Sequence, residues 1–245
     1  MNPETLTDLL MRPNGPNAAP APDVEAARYA LSRRLWPALR HQMVRHLQPI
    51  GMIYGVVDHR LASGQPDVPE LHRQMGKINQ LAKSALGECV ASGSWLCPEP
   101  LALTTVGEGL ADCVSLLATS LMFRGFQLRV VTADAADAAH VEAAATTVRQ
   151  DAFRGVVAAA IVAATDVSTG PADVLLSASV EGAQVTVTLM IRPLRDGETQ
   201  PWDDGYRKLL WPDVQAIARD DRVALRLDGN AVCMGFAVEK ILAAH

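Results

Sequence analysis

Residues 23–62 constrain this chain more than any other segment. Leu35, Leu39, Met43, His46, Ile50, Ile53, Val57 and Leu61 recur at steps of three and four. That repeat puts side chains on one face of an α-helix. Asp23 stands where an N-cap belongs. Unbroken, the run would be about 60 Å long at about 1.5 Å per residue. Pro37 and Pro49 fall inside it. Each removes a hydrogen bond and crowds the carbonyl four residues earlier, so each is expected to kink or restart the helix, unless Pro37 sits in the first turn of a second segment. Ser63-Gly64-Gln65-Pro66-Asp67 is turn chemistry. A second stripe of Leu71, Met75, Ile78, Leu81 or Ala82, Ala85 and Cys89 predicts a helix from about Pro69 to Ala91, ended by Gly93-Ser94-Trp95. Two such helices make an antiparallel hairpin that cannot bury both stripes alone. A second copy would complete a four-helix bundle across a homodimer.

The chain changes character after Cys97. Residues 98–105 read as a connector, and Val106–Phe123 as a helix closed by Gly125. A strand follows at Gln127–Thr132, then a largely apolar helix from His140 to about Asp166. Val174–Val180 and Gln184–Ile191 form a hairpin around Glu181-Gly182-Ala183. A short helix at Trp211–Arg219 precedes a second hairpin, Arg222–Leu227 and Ala231–Val238, around Asp228-Gly229-Asn230. The expectation is an α+β fold: an N-terminal helical hairpin, then a mostly antiparallel sheet with helices on one face. Three parts follow: a flexible tail over 1–22, the hairpin over 23–97 and the sandwich over 98–245. Within the tail, Glu4–Met11 is a short polar helix candidate, and its Leu6, Leu9, Leu10 and Met11 could dock on a partner or fray.

Bulk chemistry removes several functions. The 245 residues are 49% hydrophobic but only 4% aromatic, so aliphatic side chains and Ala must fill the core. A net charge of −5 argues against nucleic-acid binding. Arg33, Arg34, Arg40 and Arg45 form a local basic group, read as a solvated helix face or a contact for an acidic protein. Cys89, Cys97, Cys113 and Cys233 show neither CxxC spacing nor clustering with His, which predicts buried free thiols in a reducing cytoplasm. No signal peptide opens the chain and no apolar run of ~18 residues is expected to cross a membrane. Asp58-His59-Arg60, Asp203-Asp204 and the serines Ser177 and Ser179 lack the partners that catalysis would need.

One histidine stands apart. His41 is placed on the wet side of the first long helix, with Met43, Leu47, Ile50 and Ile53 at offsets of two, six, nine and twelve. His46 lies on the apolar stripe and reads as an interface histidine. A dimerisation hairpin bearing a solvent-facing His, followed by such a sandwich, resembles the catalytic core of sensor histidine kinases and the histidine phosphotransferases related to them. The resemblance covers about residues 24–242 and implies that His41 accepts phosphate.

The sequence departs from that family in both of its motifs. Gln42 stands where an acidic residue usually takes the imidazole proton, and Gln cannot act as a base. Arg45 and His46 replace the usual Thr or Asn and the usual Pro. A register that aligns Pro49 puts Val44 at the acceptor position and leaves no acceptor. Residues 151–166 keep the rhythm of the metal-binding Asn helix, yet Ala159 and Ala163 stand at the Asn positions. A methyl group offers a cation no lone pair. The glycine boxes are missing too. Arg195-Asp196-Gly197 and Asp203-Asp204-Gly205 read as turns, and Val106-Gly107-Glu108-Gly109 is a lone GxG that could offer amides to an anion.

The resemblance therefore implies two-component signalling without autophosphorylation by ATP. His41 would exchange phosphate with a response-regulator receiver that carries its own magnesium, and this chain would bind no cofactor or metal. Arg40, Gln42, Arg45 and Gln48 would contact that partner; Arg45 shares a helix face with His41. The alternative is a pseudokinase-like adaptor that binds a receiver or a sensor kinase through the same bundle and transfers nothing. An unrelated α+β protein remains the bland reading.

Overall fold

The computed structural model describes residues 5–11, 23–64, 67–99, 101–131, 138–194 and 207–239. It divides into two compact units, residues 1–35 with 99–245 and residues 36–98. The division falls inside the first long helix, between Leu35 and Trp36, rather than before Asp23.

The smaller unit is the hairpin. Helix α2 (Val24–Ala62) runs without interruption through Pro37 and Pro49, so neither proline restarts it. Helix α3 (Val68–Leu96) begins at an Asp67 N-cap that accepts from Glu70 N at 3.2 Å. It passes Gly93, where the sequence predicts its end, and closes with Cys97 N donating to Gly93 O at 2.9 Å. A glycine inside a helix costs only about 1 kcal/mol, which the last turn absorbs; Pro98 is the effective stop. His46 Nε2 lies 3.6 Å from Glu88 Oε1, and Arg60 Nη1 lies 3.5 Å from Glu70 Oε1. The middle of α2 thus meets late α3, and late α2 meets early α3: the helices are antiparallel.

The larger unit is an α+β sandwich. A short pair, β1 (Leu103–Thr105) with β3 (Thr147–Arg149), stands apart from the main sheet. The main sheet contains β2 (Phe126–Val130), β4 (Ala172–Glu181), β5 (Gln184–Pro193), β6 (Ala224–Asp228) and β7 (Ala231–Ala237), ordered β2-β4-β5-β7-β6. Only β2 and β4 run parallel. Gly182 and Gly229 take positive φ, 59° and 58°, at the first position of the two tight turns, where L side chains are strained. The inner face carries Val174, Leu176, Val185, Val187, Leu189, Ile191, Val232, Met234 and Phe236, all buried.

Helices α4 (Val106–Phe123), α6 (Gln150–Val167) and α7 (Trp211–Asp220) complete the core, with α5 (Ala138–Ala145) between β2 and β3. The single helix expected from His140 to Asp166 is therefore three elements. The β-branched run Thr146-Thr147-Val148 favours extended backbone, and Val148 pairs with Thr104 in what was read as a connector. From Val156 to Asp166 every residue of α6 is buried, so the helix is covered on all sides. Helix α4 corrects the expectation about spans: its 18 residues are long and apolar enough to cross a membrane. One of its faces, including Leu110, Cys113, Leu117 and Leu121, is buried in this unit.

The N-terminal residues also differ from a frayed tail. Helix α1 (Leu6–Met11) is capped at Thr5, whose Oγ1 accepts from Asp8 N at 3.2 Å while Asp8 Oδ2 accepts from Thr5 N at 3.0 Å. Leu6 and Leu10 are buried. The first turns of α2 belong to this unit as well: Ala27, Ala30, Leu31 and Leu35 are buried. Asp8, Leu6 and Leu10 give the segment a cap and an apolar side, which is why it folds back instead of staying free. The end of the Gln127–Thr132 strand at Thr132, both Arg195–Gly197 and Asp203–Gly205, and Gln65-Pro66 lie outside the described residues.

Candidate functional site

Within the hairpin, α2 has three faces. The inner one carries Leu39, Met43, His46, Ile50, Ile53 and Val57, buried or half-buried toward α3. His41 precedes Met43 by two residues, about 200° around the helix at 3.6 residues per turn, and so points away from α3. It is exposed, and Arg45 and Gln48 are exposed on the same face. Arg40 is exposed beside it, and Gln42 is half-buried. His46 sits on the inner face as its stripe position implies, between Glu88 and Arg45 Nη2, the latter 3.5 Å away.

A third face separates from the inner stripe. Val44, Leu47, Tyr54 and Leu61 on α2, and Met75, Leu86 and Val90 on α3, are each about half exposed or more. Most follow an inner residue by one position: Val44 after Met43, Leu47 after His46, Tyr54 after Ile53, Met75 after Gln74, Leu86 after Ala85. A one-residue step rotates about 100° in the same sense on each helix. Because the helices are antiparallel, both rotations lead to the same side of the hairpin. The result is one apolar flank with no cover among the described residues. Met75 and Leu61, read as inner-stripe residues, belong to it. Gly51 and Gly93 lie on this side too, and nothing stands within 4 Å of a Cβ placed at either.

The offsets predicted for His41 are met at Met43, Ile50 and Ile53 but not at Leu47, which is 51% exposed in the single chain. Leu47 becomes a core residue only if the flank is covered. The charges also divide. Residues 36–98 hold six Lys and Arg against four Asp and Glu, net +2, which leaves −7 for the rest of a chain whose total is −5.

At α6 and the start of α4, the positions singled out in the sequence are buried or packed. Ala159 and Ala163 are fully buried inside α6, so neither a donor atom nor an open surface is present at the two Asn positions. The glycines of Val106-Gly107-Glu108-Gly109 serve packing. A Cβ at Gly109 would lie 2.6 Å from Cδ1 of Phe153, and one at Gly107 would lie 3.1 Å from the Ala144 carbonyl. The first turn of α4 is closed by its own capping box: Glu108 N donates to Thr105 Oγ1, and Thr105 N donates to Glu108 Oε2, both at 3.2 Å. Nucleotide and magnesium therefore do not fit α6 and the start of α4. Among the described residues, no three His, Cys, Asp or Glu side chains gather as a metal site.

Two further readings are corrected. Arg34 is not part of a solvated basic face: its side chain and that of Asp166 are each 1% exposed, with Nη2 and Oδ2 2.6 Å apart. Asp166 also takes Arg124 Nη2 at 3.4 Å and the Leu209 amide at 3.0 Å. Burial pushes the Asp166 carboxyl up against the pull of both guanidinium groups, and brings Arg124 down to about 10. The signal in the sequence was Arg34 among Ala30, Leu31 and Leu35. Of the four thiols, only Cys113 is fully buried, which pushes it up to about 12; Cys89 and Cys97 are exposed. Asp58, His59 and Arg60 are exposed near the end of α2.

No family model matches this sequence, and no curated protein matches it. Solved structures do. The histidine kinase AdeS of Acinetobacter baumannii is similar at 11% identity over 76% of this chain and 94% of that one, with a TM-score of 0.35. The catalytic domain of histidine kinase ThkA is similar at 10% identity over 57% and 95%, with a TM-score of 0.38. A bacterial phosphotransferase is similar at 10% identity over 84% and 95%, with a TM-score of 0.32. At these values the likeness assigns no activity.

Proposed function

We propose that this chain is a homodimeric two-component signalling protein in which His41 exchanges a phosphoryl group with a response-regulator receiver. The observation that carries this reading is the placement of His41: exposed, opposite the inner face of α2, with Arg45 and Gln48 beside it and an apolar flank ready for a second hairpin. When two flanks meet, the bundle core widens to include Val44 and Leu47, and its centre turns directly away from His41. The offsets around His41 then match on all four positions.

The chemistry needs little from this chain. The unprotonated nitrogen of neutral His41 attacks the phosphorus of a phosphoaspartate. The new N–P bond forms as the O–P bond breaks, and the aspartate leaves as carboxylate. Neutral imidazole is a competent nucleophile near pH 7, and the proton on its other ring nitrogen passes to water once the N–P bond has formed, so Gln42 is tolerated. The receiver supplies its magnesium, and Arg40 and Arg45 neutralise charge around the transferred group. The net +2 of residues 36–98 suits an acidic partner.

A second reading is favoured by one observation. Counted from Val44, offsets two, six and nine fall on His46, Ile50 and Ile53, all on the inner face, with Pro49 at offset five, while offset twelve falls on exposed Val56. In that register the acceptor position is an apolar side chain and the chain is a non-transferring adaptor. Incubation with a receiver carrying labelled phosphoaspartate separates the two. Label that moves to the wild type and not to His41→Gln supports transfer. Receiver binding without label movement, unchanged in His41→Gln, supports the adaptor.

A further inference from the structure

His46 stands between two charged groups that ask opposite things of one atom. Its Nε2 is 3.5 Å from Arg45 Nη2, on the same helix, and 3.6 Å from Glu88 Oε1, on α3. A guanidinium only donates, so it binds Nε2 only while that nitrogen is bare and the ring hydrogen is on Nδ1. An ionised carboxylate only accepts, so it binds Nε2 only once that nitrogen carries a hydrogen. Both distances are longer than a closed hydrogen bond, and one nitrogen can close only one of them at a time. A neutral ring can hold either partner. A protonated ring holds Glu88 alone and repels Arg45. Among the described residues, Arg45 from α2 and Glu88 from α3 are the charged groups that face this ring.

The two histidines share Arg45. At about 100° per residue, Arg45 lies about 40° from His41 around α2 and about 100° from His46, so its base stands between them. His41 and Arg45 are exposed, and His46 is half-buried. Long helical side chains lean back toward the N-terminus, which carries a released Arg45 over the turn of His41. Held by His46, the same guanidinium is turned toward α3.

We infer that His46 is a positioning residue. Resting on the reading of His41 as phosphoacceptor, it holds Arg45 aside while its Nε2 is bare; protonation gives Nε2 to Glu88 and releases Arg45 toward the phosphoryl group at His41. The proton comes from solvent and returns to it. Imidazole changes charge between about pH 5 and 8. Exchange is therefore favoured as pH falls, until His41 itself is protonated and loses the lone pair that attacks.

The test is single-turnover transfer from a labelled phosphoaspartyl receiver, between about pH 6 and 8, to the full chain and to His46→Gln, whose amide oxygen accepts from Arg45 at every pH. Protonation of His41 slows both alike, so the ratio of wild type to variant isolates His46. That ratio should rise about threefold from about pH 8 to about pH 6, the size of one exposed charge pair. It should stay flat when both chains also carry Arg45→Ala. A ratio that is flat or falls, or a rise that survives Arg45→Ala, overturns the proposal. The Arg45 Nε–Hε resonance, assigned by its loss in Arg45→Lys, reads the same device without transfer and decides alone if His46→Gln does not fold. In the wild type it should move with the midpoint of the His46 ring. A resonance indifferent to that titration overturns the proposal. Movement of Arg45 without transfer at any pH keeps the switch and removes the reading of His41 instead.

Discussion

A Cβ at Gly109 would meet the Phe153 ring at 2.6 Å, and that ring in turn packs on Phe236 with centroids 4.9 Å apart. Neither ring has room to retreat, since both are buried. Gly109→Ala should therefore destabilise by about 1–3 kcal/mol, visible as a lower urea midpoint with an unchanged slope. Asp221 gives a pH prediction. Its Oδ2 is buried and unpartnered, and Arg28 Nη2 reaches its Oδ1 at 2.8 Å. Burial pushes the carboxyl up more strongly than Arg28 pulls it down. The folded state therefore holds this proton more tightly than the unfolded state does. Its stabilisation is fully present below the usual Asp range and is lost as pH rises through the raised value. Asp221→Asn has no such dependence, so the stability of the wild type relative to this variant should rise as pH falls toward 4, read from denaturation midpoints across pH. Residue-level roles like these were the least legible in the sequence. Gly109 stood in an apparent anion-binding GxG and Arg34 in an apparent basic face; only the tertiary neighbours Phe153 and Asp166 reveal what each does.

Elements were more legible, for a physical reason. Helices α2 and α3 follow from their own 3.6-residue repeat, and the hairpins β4–β5 and β6–β7 from alternation around Gly182 and Gly229. These signals are local. The missed strand β3 depends on a distant partner, since it exists because Val148 meets Thr104, whereas α1, legible as a short helix candidate, is seated where Gly229 and Asn230 accept its first amides. Helix α6 is packed through small side chains. Its alanines let it sit buried on all sides, which an open nucleotide cradle could not tolerate. Ala163→Asn, which would put a potential metal ligand there by sequence, should therefore confer no metal binding. It places a larger, polar side chain in a fully buried site and should cost about 2–4 kcal/mol. Urea unfolding should show the loss, and a magnesium-nucleotide titration should show no saturable heat.

At the scale of the whole molecule, the apolar flank and the division of charge make the same demand. A hairpin that leaves Val44, Leu47, Tyr54, Met75, Leu86 and Val90 half exposed or more carries a patch that a lone soluble domain rarely keeps. A second copy turns that patch into a bundle core, and the two-fold symmetry of such a dimer lets each residue be used twice. The wild type should then sediment as a dimer at micromolar concentration. Leu47→Asp with Leu86→Asp would bring four carboxylates into the core of one dimer, and association should weaken by at least about a hundredfold, since each unpaired buried charge costs several kcal/mol. The larger unit should melt as before, because neither leucine belongs to it. Gly51→Ala is the finer probe. In an isolated hairpin the methyl meets nothing within 4 Å, and the helix gains up to about 1 kcal/mol of propensity. In a dimer with closely packed flanks the same methyl stands between helices. A weaker dimer from Gly51→Ala places the interface on this flank. A wild type that stays monomeric, or a Leu47→Asp/Leu86→Asp variant that still dimerises, removes the bundle and with it the register proposed for His41 as acceptor.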